Sequence, residues 1–262
     1  MKIRRVESTL ALGPFGAWTL ACLVLSMGMW GCNPNGAGCG VALGEWTTDT
    51  LRLAAGTSVL EVHGRVDVSW RPSTEEPRAI LRAGEGVIQG LSLSESSGTL
   101  LLEDNNSCHW SRDLSAIPQV ELVGVNFAQV QLYGQGDFVM LDTLTHGDLV
   151  VEGDEMSGDI SLCFAGDTLQ LTLPNGIGHA EVKGTAVRFR SFRSGFGDLN
   201  ARSMNAQQVL IHHGGLGQVN LQPQGYLFLE VAGHGDVHLF GPGQLRDIRR
   251  LPGATGEVVE WP

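Results

Sequence analysis

The sequence predicts an all-β chain, a right-handed parallel β-helix or β-solenoid with rungs of about 20 residues and an N-terminal β cap. Three observations predict it. A Gly-x-Gly-acid phrase recurs at near-constant spacing, two apolar columns follow each copy in register, and a second short apolar strand precedes most copies.

The clearest copies of the phrase are Gly134-Gln135-Gly136-Asp137, Gly195-Phe196-Gly197-Asp198 and Gly233-His234-Gly235-Asp236. Weaker copies end at Gly158, Gly178, Gly217 and Gly256, so the last glycines lie 22, 20, 19, 20, 18 and 21 residues apart. After the acid position come Phe138, Ile160, Ala180, Leu199, Val219, Val237 and Val258. Two residues further stand Met140, Leu162, Val182, Ala201, Leu221, Leu239 and Glu260. The column between them is mostly polar, with Ser161, Glu181, Asn200, Asn220 and His238. Alternation of this kind marks a strand with one buried face.

The preceding strands are residues 149–151, 169–173, 187–190, 209–211 and 227–231. In the copy that starts at Leu169 the apolar phase is one residue out of step, which predicts a bulge or a longer corner. A unit this short cannot seal its own apolar side and must stack on its neighbours. Glycine suits the corners because sharp bends ask for positive φ and identical bends approach closely. Upstream, residues 51–70 and 80–103 read as strands, with His63-Gly64-Arg65-Val66-Asp67-Val68 as a degenerate rung. Residues 51–118 are expected to cap the coil and 119–262 to form the rungs of a single domain spanning 51–262.

The N-terminus reads as an export signal. Lys2, Arg4 and Arg5 precede residues 8–31, which carry no charge, and the stretch ends in Met29-Trp30-Gly31-Cys32. Residues 1–31 are therefore expected to be a lipoprotein-type signal peptide with lipidation at Cys32, followed by a flexible tether over 32–50. The alternative is an uncleaved anchor, since about 20 apolar residues can span a bilayer. Either predicts a bacterial cell-envelope protein, at the outer membrane or cell surface, that touches the membrane through its anchor only. Cys39, Cys108 and Cys163 remain, without a Cys-x-x-Cys pair that would suggest zinc. Export permits a Cys39–Cys108 disulfide, and three unpaired thiols are the other possibility.

The formal net charge of −11 argues against nucleic acid as a partner, because neutralising phosphates needs a basic face. Lysine occurs only at Lys2 and Lys183.

The Gly-x-Gly-Asp rungs, the phrase Phe240-Gly241-Pro242 and the closing residues 253–261 resemble the bacterial auto-transporter adhesin head GIN domain family, a domain of unknown function. The likeness covers residues 51–262, although several glycine pairs are weakened and His179 and Gln218 stand at acid positions. The resemblance implies an exported, often lipidated, β-helical surface protein.

Candidate chemistry is sparse. Asp137, Asp159, Asp198 and Asp236 recur at one position, where Asp beside Gly serves turns. Calcium at Asp137 and Asp159, or catalysis by paired carboxylates, are the alternatives. Adjacent His212 and His213 point to opposite faces of a strand, and His234 and His238 are too far apart on an extended chain to share a metal. No cofactor is expected. Lys183, Arg188, Arg190, Arg193 and Arg202 gather positive charge in an acidic chain, a candidate patch for an anionic glycan or a partner's acidic surface. Solvated outer-face residues would look the same. The expected function is a non-catalytic interaction or adhesion scaffold whose partner is an envelope glycan or another surface protein. The alternative is a carbohydrate-active β-helix enzyme acting on an acidic polysaccharide.

Overall fold

The computed structural model describes residues 42–107, 116–241 and 246–262. The chain is nearly all β, a solenoid of about six turns. Its strands are β1 (Trp46–Arg52), β2 (Val59–Gly64), β3 (Asp67–Arg71), β4 (Arg78–Gly84), β5 (Leu91–Ser96) and β6 (Thr99–Asp104). They continue as β7 (Gln119–Val123), β8 (Gln129–Gly134), β9 (Phe138–Met140), β10 (Asp148–Asp154), β11 (Ile160–Leu173) and β12 (Ala180–Arg193). The last are β13 (Leu199–His213), β14 (Val219–Leu221), β15 (Tyr226–Val231), β16 (Val237–Phe240), β17 (Arg246–Arg250) and β18 (Val258–Trp261). One helical turn, Glu85–Ile88, interrupts them.

Two parallel ladders run along the rod. The first face stacks β6, β2, β8, β10, residues 168–173 of β11, 188–193 of β12, 208–213 of β13, then β15 and β17. The second face stacks β7, β3, β9, the leading parts of β11, β12 and β13, then β14, β16 and β18. The Gly-x-Gly corner joins one face to the other. Both apolar columns point inward: Ile160 is 3% exposed and Leu162 0%.

Stacking order and chain order disagree at the N-terminal end. The rung β2–β3 lies between β6–β7 on one side and β8–β9 on the other. The degenerate phrase at Gly64 is thus a full rung, enclosed by later parts of the chain. The cap is made by antiparallel strands, β5 against β6, β4 against β7 and β1 against β4. Strand β1 begins at Trp46, inside the stretch expected to be a flexible tether.

Of the bulge or longer corner expected near Leu169, the structure has the longer corner. Leu169 stays in register with Leu149 and Phe189, so the extra residue near it lengthens the corner at Pro174-Asn175 and makes no bulge. The irregularity lies in β13, where the pairing steps from Glu181↔Asn200 to Lys183↔Ser203. That extra residue leaves Arg202 and Ser203 both exposed.

Corner glycines are required by close approach more than by backbone sign. Gly197 does not have positive φ, yet a Cβ there would collide with the carbonyl oxygen of Gly178 in the preceding rung. Gly136 meets the Val66 carbonyl in the same way. At the far end, Arg246 aligns with buried Leu227 and Glu260 with buried Leu239. Their side chains pair, Nη1 to Oε1, at 2.6 Å. Charge in the two otherwise apolar columns of this rung discourages another strand from adding to it.

Candidate functional site

The recurring carboxylates form a column at the start of the second face, and their chemistry is longitudinal. Asp137 Oδ1 accepts the backbone N–H of Asp159 at 2.8 Å, and Asp159 Oδ1 accepts that of His179 at 2.9 Å. Asp198 Oδ1 takes the N–H of Gln218 at 2.7 Å and Asp236 Oδ1 that of Glu257 at 2.8 Å. Asp67 begins the series by accepting the N–H of Asp137, seventy residues on, at 3.0 Å. Burial raises the Asp67 carboxyl above its ordinary range, with the Asp137 N–H acting against the rise. At the His179 rung the imidazole replaces the carboxylate, its Nδ1 accepting the N–H of Asp198 at 3.1 Å. An acceptor at Nδ1 places the ring proton on Nε2.

Beside this column the outer side of the second face carries an open groove of about 630 Å³. Asp159, Ser161, Glu181, Asn200, Asn220 and Arg202 are among its lining. Arg202, re-aimed by the β13 bulge, lies over the Phe240 ring at 3.8 Å, and Phe240 stacks in turn on Trp261. Among the described residues no three His, Cys, Asp or Glu side chains converge as ligands of a cation.

The five basic residues expected as one patch are distributed by the fold. Lys183 is exposed beyond the second face, beside Cys163 and Ser203 in neighbouring rungs. Arg188 and Arg190 are exposed on the first face. Arg202 belongs to the groove. Arg193 leaves the group altogether: it is 4% exposed, and its guanidinium donates to the carbonyls of Asp198 and Gly197 at 2.7 and 2.6 Å. Burial pushes its pKa down to about 10, with Asp198 opposing. His213, the next rung's residue in that inward column, is also buried and bonds the Gly235 carbonyl at 3.1 Å. Burial holds its imidazole below the usual histidine range, and the Arg193 charge adds to the effect. Inward polar side chains thus satisfy carbonyls of the glycine corner.

Cys163 is a free thiol. Cys32, Cys39 and Cys108 lie outside the described residues, as does the whole of the expected signal. Sequence reasoning missed two arrangements: the Arg202–Phe240–Trp261 stack, and an aromatic cluster of Phe192, His212 and Phe228 on the first face. Both consist of residues at outward parity, which alternation identifies only as facing away from the core.

Solved structures share this architecture. A "putative adhesin" from Bacteroides fragilis superposes with a TM-score of 0.73 at 15% identity, over 83% of this chain and 97% of that one. A "putative lipid binding protein" from Parabacteroides distasonis gives 0.63 at 17% identity, covering 84% and 98%. A "putative adhesin" from Parabacteroides merdae gives 0.59 at 15% identity, covering 84% and 98%. Identities this low establish the fold alone. Among curated proteins none matches the sequence. The family model described as "Putative auto-transporter adhesin, head GIN domain" matches residues 58–243, the greater part of the chain and nearly every rung, and the chain belongs to that family.

Proposed function

We propose that the chain is an exported cell-envelope protein, lipid-anchored at Cys32, whose solenoid presents side-chain-rich faces to a glycan or another surface protein without catalysing a reaction. The carrying observation is the use of the acid column. The carboxylates whose recurrence suggested catalysis or calcium each spend an oxygen on the backbone of the next rung. That bond gives the recurrence a structural cause, so the paired carboxyls of a glycosidase are not needed to explain it. Membership of a family named for adhesion agrees with a scaffold. The export signal and anchor rest on the N-terminal sequence, with its basic start, uncharged stretch and Gly31-Cys32.

Two measurements test the reading. Glycan arrays and a panel of purified surface proteins should give retained binding, while incubation with acidic polysaccharides should release no shortened product. Release of product that disappears in Asp159→Asn or Glu181→Gln would make the chain an enzyme. For the anchor, Cys32→Ala should abolish fatty-acid labelling and move the protein out of the membrane fraction. Labelling that survives the substitution would remove Cys32 from this role.

A further inference from the structure

Most arginines for which a contact can be described meet a carboxylate of the same chain. Arg71 pairs with Glu121 and Asp142, Arg78 with Glu75, Arg246 with Glu260 and Arg249 with Asp247. Arg188 and Arg190 do not. The Arg188 guanidinium donates only to the Thr168 hydroxyl, at 3.2 Å, and no hydrogen bond or ion pair joins the Arg190 side chain to another described residue. They stand two residues apart on the same side of β12, about 7 Å along an extended strand. Two guanidiniums without counter-charges, in a chain of net charge −11, mark a place where negative charge is to be supplied from outside.

The surface beside them is largely apolar. A shallow depression of about 280 Å³ runs over four successive rungs of the first face: Gln170 and Thr172, Arg190 and Phe192, Leu210 and His212, then Phe228 and Glu230, whose carboxylate is already held by His212 Nδ1 at 2.7 Å. Phe192 and, in the outward column of Arg188, Tyr226 are each 41% exposed. Arginine with aromatic and aliphatic groups, lysine being absent, is the composition of protein-interface centres. Ring orientation separates a protein occupant from a glycan. Phe192 and His212 stack with centroids 4.7 Å apart and planes 9° from parallel, the spacing of adjacent rungs. Arg249 lies over the Phe228 ring at 5.0 Å, again from the next rung. The faces of these rings therefore point along the rod and their edges point outward. A pyranose finds no flat aromatic platform here, whereas an apolar side chain can enter between ring edges.

We propose that this part of the first face docks a protein partner that presents carboxylates beside a leucine or phenylalanine side chain. The inference rests on the interaction-scaffold reading and names its surface and the partner's chemistry. The carboxylates would meet Arg188 and Arg190, and the apolar side chain would cover Leu210 and Phe228.

The test uses the full chain and an array of synthetic peptides in which glutamates flank a leucine or phenylalanine. Matched peptides carry glutamine for glutamate or serine for the apolar residue. Binding should require both features. It should weaken about tenfold or more in Arg190→Gln and in Leu210→Ser, and stay unchanged in Arg202→Gln on the second face. Because Arg190 is exposed, Arg190→Gln should melt with the parent and so separates lost docking from lost folding. Peptide binding indifferent to both first-face substitutions would overturn the proposal. So would polygalacturonate binding that Arg190→Gln abolishes while the peptides fail, which would assign the face to an acidic glycan. Sedimentation showing a dimer that Arg190→Gln dissolves, without peptide binding, would assign it to a second copy of the chain. In the last two cases the scaffold reading survives; it falls only if glycan arrays and the surface-protein panel are blank as well.

Discussion

Asp198 and Gln218 stand at the same position of successive rungs, and the side-chain Oδ1 of the first accepts the backbone N–H of the second at 2.7 Å. The bond crosses between rungs where the corner has turned and the strand ladder has yet to resume. It ties side-chain identity at one level to backbone position at the next.

Removing that acceptor should therefore act on the stack. Asp198→Ala is expected to lower stability by about 1 kcal/mol, the net worth of one such hydrogen bond. Asp198→Asn keeps an acceptor oxygen and should lose less than half as much. Denaturant unfolding of the two variants decides this; equal losses would mean that charge, and not the inter-rung bond, is what the position supplies.

Gly197 gives a larger effect for a smaller change. Its missing Cβ is replaced in space by the Gly178 carbonyl oxygen, so Gly197→Ala must push two rungs apart. A loss of about 3 kcal/mol or outright failure to fold is expected. Asn200→Ala, outward on the same rung, should stay within about 0.5 kcal/mol. Thermal melts of both, side by side, would contradict the packing argument if they matched.

Acid should loosen the rod through His213. Burial and the neighbouring Arg193 charge hold its imidazole below the usual histidine range. The unfolded chain then binds a proton more readily than the folded one. Stability is complete above the unfolded value of about 6.5 and is lost as pH falls below it. His213→Leu should flatten the denaturation midpoint between about pH 7 and pH 5. An unchanged slope in that variant would place the proton uptake elsewhere.

The pair at the C-terminal end is expected to govern association. Replacing Arg246 and Glu260 together by leucine should leave the monomer about as stable, since an ion pair exposed at Glu260 contributes little. The edges of β17 and β18 would then lose that charge, and concentration-dependent association should appear in sedimentation velocity. A variant that stays monomeric at every concentration would show that the charge is not what keeps this end open.

The solenoid was legible because its columns recur at one spacing, and Ile160, Leu162 and their counterparts point inward as the alternation requires. The arrangement before residue 119 was not. The N–H of Asp137 reaches Asp67 across seventy residues, and a single long separation leaves no periodicity to read. The acid column was visible as a recurrence, but its partners are backbone groups one rung away, and backbone has no sequence signature. Arg193 was readable and was misassigned. It shares parity with Phe189 and Ser191, both buried, so alternation alone places it indoors. Grouping it by charge with Arg188 and Arg190 overrode that parity.

The enclosed position of β2–β3 bears on how the chain reaches its fold. A coil built in chain order could add one layer at a time to a growing end, each new turn using the last as template. Here the earliest turn is covered from both sides by segments later in the chain: β6–β7 and β8–β9 each dock on β2–β3, and neither stacks on the other. Assembly must therefore bring two later segments onto opposite sides of the first before the orderly winding begins. Contacts of long sequence separation form slowly, so this crossing is expected to set the folding rate and the run of regular turns to follow as elongation.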